Sequence, residues 1–106
     1  MSSNNTDDRD SDVGAEVERL IKDAMISLRG AGVVLGVSHS SLFRWIEGTN
    51  RPYRWLADSV LRRIELLREE DTETGLFKRL TAMSHRERVD ALVRVIAERT
   101  EQVEHA

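Results

Sequence analysis

The stretch from Gly30 to Gly48, GAGVVLGVSHSSLFRWIEG, constrains the fold of this chain more than any other feature. A short helix is predicted to end at Gly36, because glycine adopts the left-handed backbone that closes a helix without strain. Ser38 is a favourable N-cap, so a second short helix is predicted from Ser38 to Glu47. The pattern therefore predicts two helices joined by a tight turn at Gly36-Val37-Ser38.

Apolar residues recur every three to four positions along most of the chain, which is the spacing of amphipathic helices. No segment alternates apolar and polar residues as a half-buried strand does. Ser84 and Glu87 match the S-x-x-E capping box, so a last helix is expected to begin at His85. The predicted fold class is all-α, with a compact domain of about four helices followed by a C-terminal amphipathic helix. The helices are predicted at residues 13–26, 29–35, 38–47, 53–68 and 85–103.

Changes in composition divide the chain into four predicted segments. Residues 1–12 are dense in Asp, Asn and Ser and are expected to form a disordered acidic arm. Residues 13–68 contain the pair of short helices and form the predicted domain. Residues 69–83 begin with the acidic stretch EEDTETG and are interpreted as a linker with a short helical turn. Residues 84–106 are the predicted oligomerisation helix.

Positive charge is concentrated in one part of the chain. The formal net charge is −3, with 16 Lys and Arg residues against 19 Asp and Glu residues. Residues 13–68 carry nine basic and six acidic residues, net +3, whereas the segments before and after each have net −3. Because phosphate neutralisation is local, an acidic protein with one basic face can still bind DNA.

Several classes of function are excluded by what the chain lacks. It has no cysteine, which excludes disulfides and thiolate metal sites. The three histidines lack ligand spacing, and Gly30-Ala31-Gly32 lacks the Lys-Ser/Thr of a phosphate-binding loop. No apolar run is long enough to span a bilayer, and the N-terminus is polar where a signal peptide is apolar. We therefore expect a cytoplasmic protein that is not an enzyme and has no cofactor, metal, small-molecule ligand or membrane partner.

The second helix of the pair has two distinct faces. Leu42, Trp45 and Ile46 recur at i, i+3 and i+4 and are predicted to face the core. A helix held in a rigid corner can enter the major groove of DNA, where each base pair presents a distinct set of donors and acceptors. The residues outside the apolar stripe are His39, Ser40, Phe43 and Arg44.

This part of the chain resembles the helix-turn-helix of phage repressor, Cro-like and related small bacterial regulators, over about residues 13–68. The family has a small residue four positions before the turn glycine, which here is Gly32. It has an aliphatic residue six positions after the turn glycine, Gly36, and here that residue is Leu42. The glutamine that the family usually has at the start of the first helix of this pair is replaced by Leu28. The matching residues are Gly36-Val37-Ser38, Leu42, Arg44-Trp45, Gly48 and Arg51-Pro52.

The resemblance implies that the exposed face of the helix at 38–47 contacts bases, in agreement with the helical spacing. Arg44 suits a bidentate contact with guanine, Ser40 is an adaptable partner, and His39 can donate to a purine or a phosphate. The alternative for Arg44 is a solvated ion pair with Glu47. Phosphate contacts are expected from the turn, the helix and the following loop, at Ser38, Ser41, Thr49, Asn50, Arg51, Tyr53 and Arg54.

The aromatic residues and two glycines allow further expectations. Phe43 could contact a thymine methyl, fill the edge of the core or lie at a subunit interface, and packing is favoured. Trp45 and Trp55 are both predicted to lie in the core. Gly32 is expected to allow close approach of the two helices, whereas nothing in the sequence explains Gly30.

These features predict a sequence-specific regulator of transcription that binds double-stranded DNA, with repression by occupancy as the expected mode. A single motif contacts few base pairs, so a homodimer with half-sites roughly 34 Å apart is expected. The apolar seam of the last helix is interpreted as the dimerisation surface, and the alternative is that this helix folds back onto the first helix. The seam residues are Val89, Leu92, Val93, Ile96 and Val103.

Two other classes of function are open at this point. A phage small-terminase-like subunit also joins a helix-turn-helix to an oligomerising helical tail, and its role is DNA packaging in a ring. An antitoxin-like module would use the same corner against a protein. A dimeric solution mass favours a regulator, whereas eight or more copies favour packaging.

Overall fold

Helices account for most of the described backbone. The computed structural model describes the backbone of residues 4–105 and the side chains of residues 13–102. No strand occurs in this part of the chain, so the predicted all-α fold class is confirmed. The helices are α1 (Asn4–Ala24), α2 (Leu28–Leu35), α3 (His39–Glu47), α4 (Arg54–Thr74), α5 (Leu76–Leu80) and α6 (His85–His105).

The pair of short helices has the predicted bounds to within one residue. α2 begins at Leu28 rather than one residue later, and Ser38 is the N-cap of α3 rather than its first residue. α1 differs more, because it begins at Asn4, inside the segment predicted to be a disordered arm. Residues 1–3 of that arm, and the side chains of residues 1–12, lie outside what the structure describes.

The acidic stretch EEDTETG is helical up to Thr74, which corrects the prediction of a linker beginning at residue 69. Residues three and four apart share one face of a helix, so these carboxylates would repel one another without a cation nearby. Arg99 of α6 supplies that cation, and its side chain is only 16% exposed. It pairs with Glu69 at 3.6 Å, Glu70 at 2.8 Å and Glu73 at 2.6 Å.

One apolar core joins all six helices. It contains residues of α1 to α4 and also Leu76 and Leu80 of α5 and Leu92 of α6, each at most 1% exposed. The segments predicted to be a linker and an oligomerisation helix therefore pack into the same core as residues 13–68. This burial of apolar surface is the main force that holds α5 and α6 in place.

The dimerisation seam predicted on α6 is largely used within the chain. α6 packs mainly against α2 and α4. Leu92 is fully buried and Ile96 is 8% exposed, so the prediction that these two residues form a free dimer surface is wrong. Val89 is half-buried against the core and Val93 is 39% exposed. The side chain of Val103 lies outside the described residues.

α6 begins at the predicted residue, His85. The Ser84 N–H donates to Glu87 Oε1 at 2.8 Å and the Glu87 N–H donates to Ser84 Oγ at 3.2 Å, so the predicted capping box is confirmed. The Ser27 N–H donates to His85 Nε2 at 3.0 Å. Since Ser27 is the N-cap of α2, this bond attaches the start of α6 to the start of α2.

Gly30 lies where α6 crosses α2, which explains the glycine that the sequence left unexplained. A Cβ at this position would lie 3.0 Å from Val89 Cγ2 and 3.1 Å from His85 Nε2. The absence of a side chain therefore permits close packing of the two helices. Arg88 adds a polar contact nearby, since its guanidinium donates to the Met25 carbonyl oxygen at 3.1 Å.

Replacing Arg99 with glutamine is expected to lower the free energy of unfolding at neutral pH by up to about 1 kcal/mol, because the ion pairs are partly exposed. The hydrogen bond from Arg99 lowers the pKa of the Glu70 carboxyl in the folded protein. This stabilisation is complete above the pKa of an unfolded glutamate, about 4.3, and is lost as the pH falls through the lowered value. Urea unfolding of both proteins should show a difference that shrinks in acid, and a difference independent of pH would contradict the assignment.

Candidate nucleic-acid interface

The turn between α2 and α3 is held by backbone geometry and two caps. Gly36 has a φ of 73°, and its N–H donates to the Gly32 carbonyl oxygen at 2.8 Å. Ser38 Oγ accepts from the Ser41 N–H at 3.2 Å, which confirms Ser38 as the N-cap of α3. A Cβ at Gly32 would lie 2.7 Å from the Val37 carbonyl oxygen, so the small residue expected there is required by the turn.

Neighbouring helices pack against the inner side of α2 and α3. Leu42 is fully buried and Trp45 is 7% exposed, so the predicted inner face of α3 is confirmed at these residues. A Cβ at Gly14 of α1 would collide with the Trp45 carbonyl oxygen, which shows how closely α1 approaches α3. Arg63 of α4 donates to the Leu35 carbonyl oxygen at 3.1 Å and so caps the end of α2. These contacts hold α2 and α3 in place and leave the outer face of α3 on the surface.

That outer face contains the three residues predicted to contact bases. Ser40 and Arg44 are exposed and His39 is half-buried. The three line one shallow surface groove together with Leu28 at the start of α2 and Phe43. The structure therefore places His39, Ser40 and Arg44 side by side, on the surface and facing away from the core.

Phe43 is 52% exposed, which corrects the prediction that it packs into the protein. It lies one turn after His39 on α3, and both residues line the groove. Its position outside the stripe of Leu42, Trp45 and Ile46 was the feature of the sequence that indicated exposure. The hydrophobicity of the side chain argued for packing, whereas the spacing argued for exposure, and the spacing was correct.

Arg44 has its guanidinium free among the described side chains. No hydrogen bond or ion pair of this group occurs there, and the alternative pairing with Glu47 is absent. The Arg44 backbone carbonyl oxygen accepts from the Thr49 N–H at 3.0 Å, which closes α3 at its C-terminal end. The five donors of the guanidinium are thus available for a ligand.

The residues predicted to contact phosphates fall into two groups at opposite ends of α3. Ser38 and Ser41 lie at its N-terminal end, where Ser38 Oγ–H donates to Ser41 Oγ at 3.0 Å. The other group lies in the loop after Gly48 and at the start of α4. There the Arg51 N–H donates to Asn50 Oδ1 at 2.9 Å. All five residues of this second group are exposed: Thr49, Asn50, Arg51, Tyr53 and Arg54.

Trp55 lies on the surface, which corrects the prediction that both tryptophans are in the core. It is 69% exposed and stacks on Tyr53, itself 75% exposed, with ring centroids 6.4 Å apart and an interplanar angle of 5°. The helical spacing of α4 contained the signal, because Leu56, Ala57 and Val60 define its buried face and Trp55 is off that face. The stacked pair stands beside Arg54 at the start of α4.

The described residues contain neither a membrane-spanning helix nor a cluster of metal-binding side chains. No helix there has the length and apolar character needed to cross a membrane. No group of three or more His, Cys, Asp or Glu residues in that part of the chain could hold a metal ion. Comparisons of the chain with protein-family models, curated proteins and solved structures found no match.

Proposed function

We propose that this chain is a sequence-specific regulator of transcription that binds double-stranded DNA and inserts α3 into the major groove. The observation that carries the proposal is the outer face of α3. It presents a free guanidinium, a hydroxyl and an imidazole side by side on a supported corner. These are the hydrogen-bonding groups with which proteins contact base edges in the major groove.

The residues at the two ends of α3 also favour DNA as the ligand. An α-helix with its side chains is about 10–12 Å in diameter, so α3 fits the major groove, which is about 12 Å wide. Hydroxyl groups lie at one end of α3, and a loop with Arg51 continues from the other end to Arg54. A helix in the groove would bring both ends near phosphates, whose contacts set the register without specifying sequence.

We propose a two-fold dimer in the cytoplasm that occupies a promoter and represses it, since one corner contacts too few base pairs for high specificity. Its interface must use residues other than Leu92 and Ile96, because these lie in the core of the single chain. Half-sites would then be one helical turn, roughly 34 Å, apart.

The test is selection of bound sequences from random duplexes with the full chain, combined with native mass measurement of the free protein. The expected result is a short enriched sequence in two inverted copies and a dimeric mass. A ring of eight or more copies would favour the small-terminase-like function instead. Absence of any duplex binding at low salt would reject the DNA-binding proposal and favour a protein-interaction module.

A further inference from the structure

The groove on the outer face of α3 combines polar and apolar walls. His39, Ser40 and Arg44 provide hydrogen-bonding groups, whereas Leu28 and Phe43 provide apolar surface. Phe43 is 52% exposed, although burial of an aromatic ring of this size is favourable. A ligand that fills this groove must therefore present an apolar group next to hydrogen-bonding groups.

Helix geometry places the apolar wall directly beside Arg44. Residues four apart lie on the same row of a helix, so His39 and Phe43 form one row and Ser40 and Arg44 form the next. The rise per residue is about 1.5 Å and successive base pairs of DNA are about 3.4 Å apart. Since both side chains also line the same groove, Phe43 and Arg44 would lie over the same base pair or two adjacent ones in a complex with DNA.

Only one base edge offers apolar surface to such a groove. In the major groove the standard bases present donors and acceptors, apart from the C5 methyl group of thymine. Guanine presents the two acceptors, O6 and N7, that bind an arginine in bidentate geometry. A pyrimidine with a C5 methyl group next to a guanine would fill both parts of the groove. 5-Methylcytosine carries the same methyl group as thymine.

We infer that this groove is specific for a C5-methylated pyrimidine adjacent to a guanine, with Phe43 and Leu28 covering the methyl group and Arg44 bonded to the guanine. This inference rests on the proposed binding of double-stranded DNA. Leu28 lines the groove together with Phe43 and makes this side of it apolar.

The experiment removes one methyl group from the DNA. In the duplex obtained by selection, the thymine next to guanine is replaced with deoxyuridine, which pairs identically and lacks the methyl group. The full chain should bind the deoxyuridine duplex about fourfold more weakly, as expected for loss of one buried methyl group. Duplexes with cytosine and 5-methylcytosine at the same position test the second source of the methyl group. The tighter of the thymine and 5-methylcytosine duplexes identifies the preferred one.

Variants of the protein assign the contact to Phe43. Phe43→Ala should bind the thymine and deoxyuridine duplexes equally, whereas Phe43→Leu should keep most of the preference. Val33→Ala is the matched control, because Val33 is an apolar residue that is 65% exposed and lies outside the groove. Circular dichroism checks that each variant is folded, and the deoxyuridine comparison with the unchanged protein needs no variant.

The outcomes separate this inference from the proposed function. A selected site without a C5-methylated pyrimidine next to guanine, or equal binding of both duplexes by the unchanged protein, overturns the inference and leaves DNA binding intact. Undiminished preference in Phe43→Ala also overturns it. A lower native mass of Phe43→Ala with no change in the preference would show that Phe43 contacts a second copy of the chain. Failure to bind any duplex removes both the inference and the function on which it rests.

Discussion

Replacing Leu92 with alanine is expected to lower the free energy of unfolding by about 2–5 kcal/mol. Leu92 is fully buried in the core that joins all six helices, so the smaller side chain leaves a cavity where α6 packs on the rest of the fold. Equilibrium unfolding in urea, followed by circular dichroism, measures the effect as a lower midpoint. A loss of this size is a large part of the stability of a small domain.

Val93 provides the matched control for Leu92 on the same helix. Its side chain is 39% exposed, so Val93→Ala should change the free energy of unfolding much less than Leu92→Ala. The two variants also distinguish a core from a subunit interface. If Leu92→Ala instead kept its unfolding midpoint and only reduced the solution mass, Leu92 would lie between subunits, and the packing of α6 on α2 and α4 would be refuted.

Replacing Arg44 with alanine is expected to weaken binding to the selected duplex by roughly 5- to 150-fold, the range of one bidentate contact to guanine. Binding to random duplexes should change little, because contacts with phosphates dominate there. Fold stability should be unaffected, since the Arg44 guanidinium has no partner among the described side chains. Fluorescence anisotropy with labelled duplexes, at one fixed salt concentration, measures both affinities.

Arg94 is the control for the loss of one positive charge. It is exposed on α6 and is not among the residues that line the groove on α3, so Arg94→Ala should leave both affinities close to their original values. An equal loss on selected and random duplexes in Arg44→Ala would show that Arg44 contacts only the backbone of the DNA. In that case the specificity would have to come from other residues of α3.

Local sequence was sufficient for the corner of α2 and α3. Gly36 and Gly48 adopt positive φ, 73° and 80°, a backbone conformation that glycine adopts without the steric cost that a side chain brings. Ser38 caps α3 through a hydrogen bond to a residue three positions away. Each of these effects acts within a few residues, so the turn and its outer face could be predicted without knowledge of the rest of the fold.

Residue type was a poor guide where it disagreed with spacing. Trp45 and Trp55 have the same side chain, yet Trp45 is 7% exposed and Trp55 is 69% exposed. The difference follows from the face of the helix on which each residue lies. The same holds for Phe43, whose exposure follows from its row on α3 rather than from its hydrophobicity.

By itself the sequence determined the helical class, the turn at Gly36, and which side of α3 faces away from the core, because caps, glycine backbone and helical periodicity are local properties. Only the tertiary structure decided how the C-terminal third of the chain packs. Whether Leu92 meets another chain or its own core, and whether the acidic end of α4 stays helical beside Arg99, depend on contacts between residues far apart in sequence. An apolar stripe shows that a helix needs a partner, but the packing of the whole chain selects that partner.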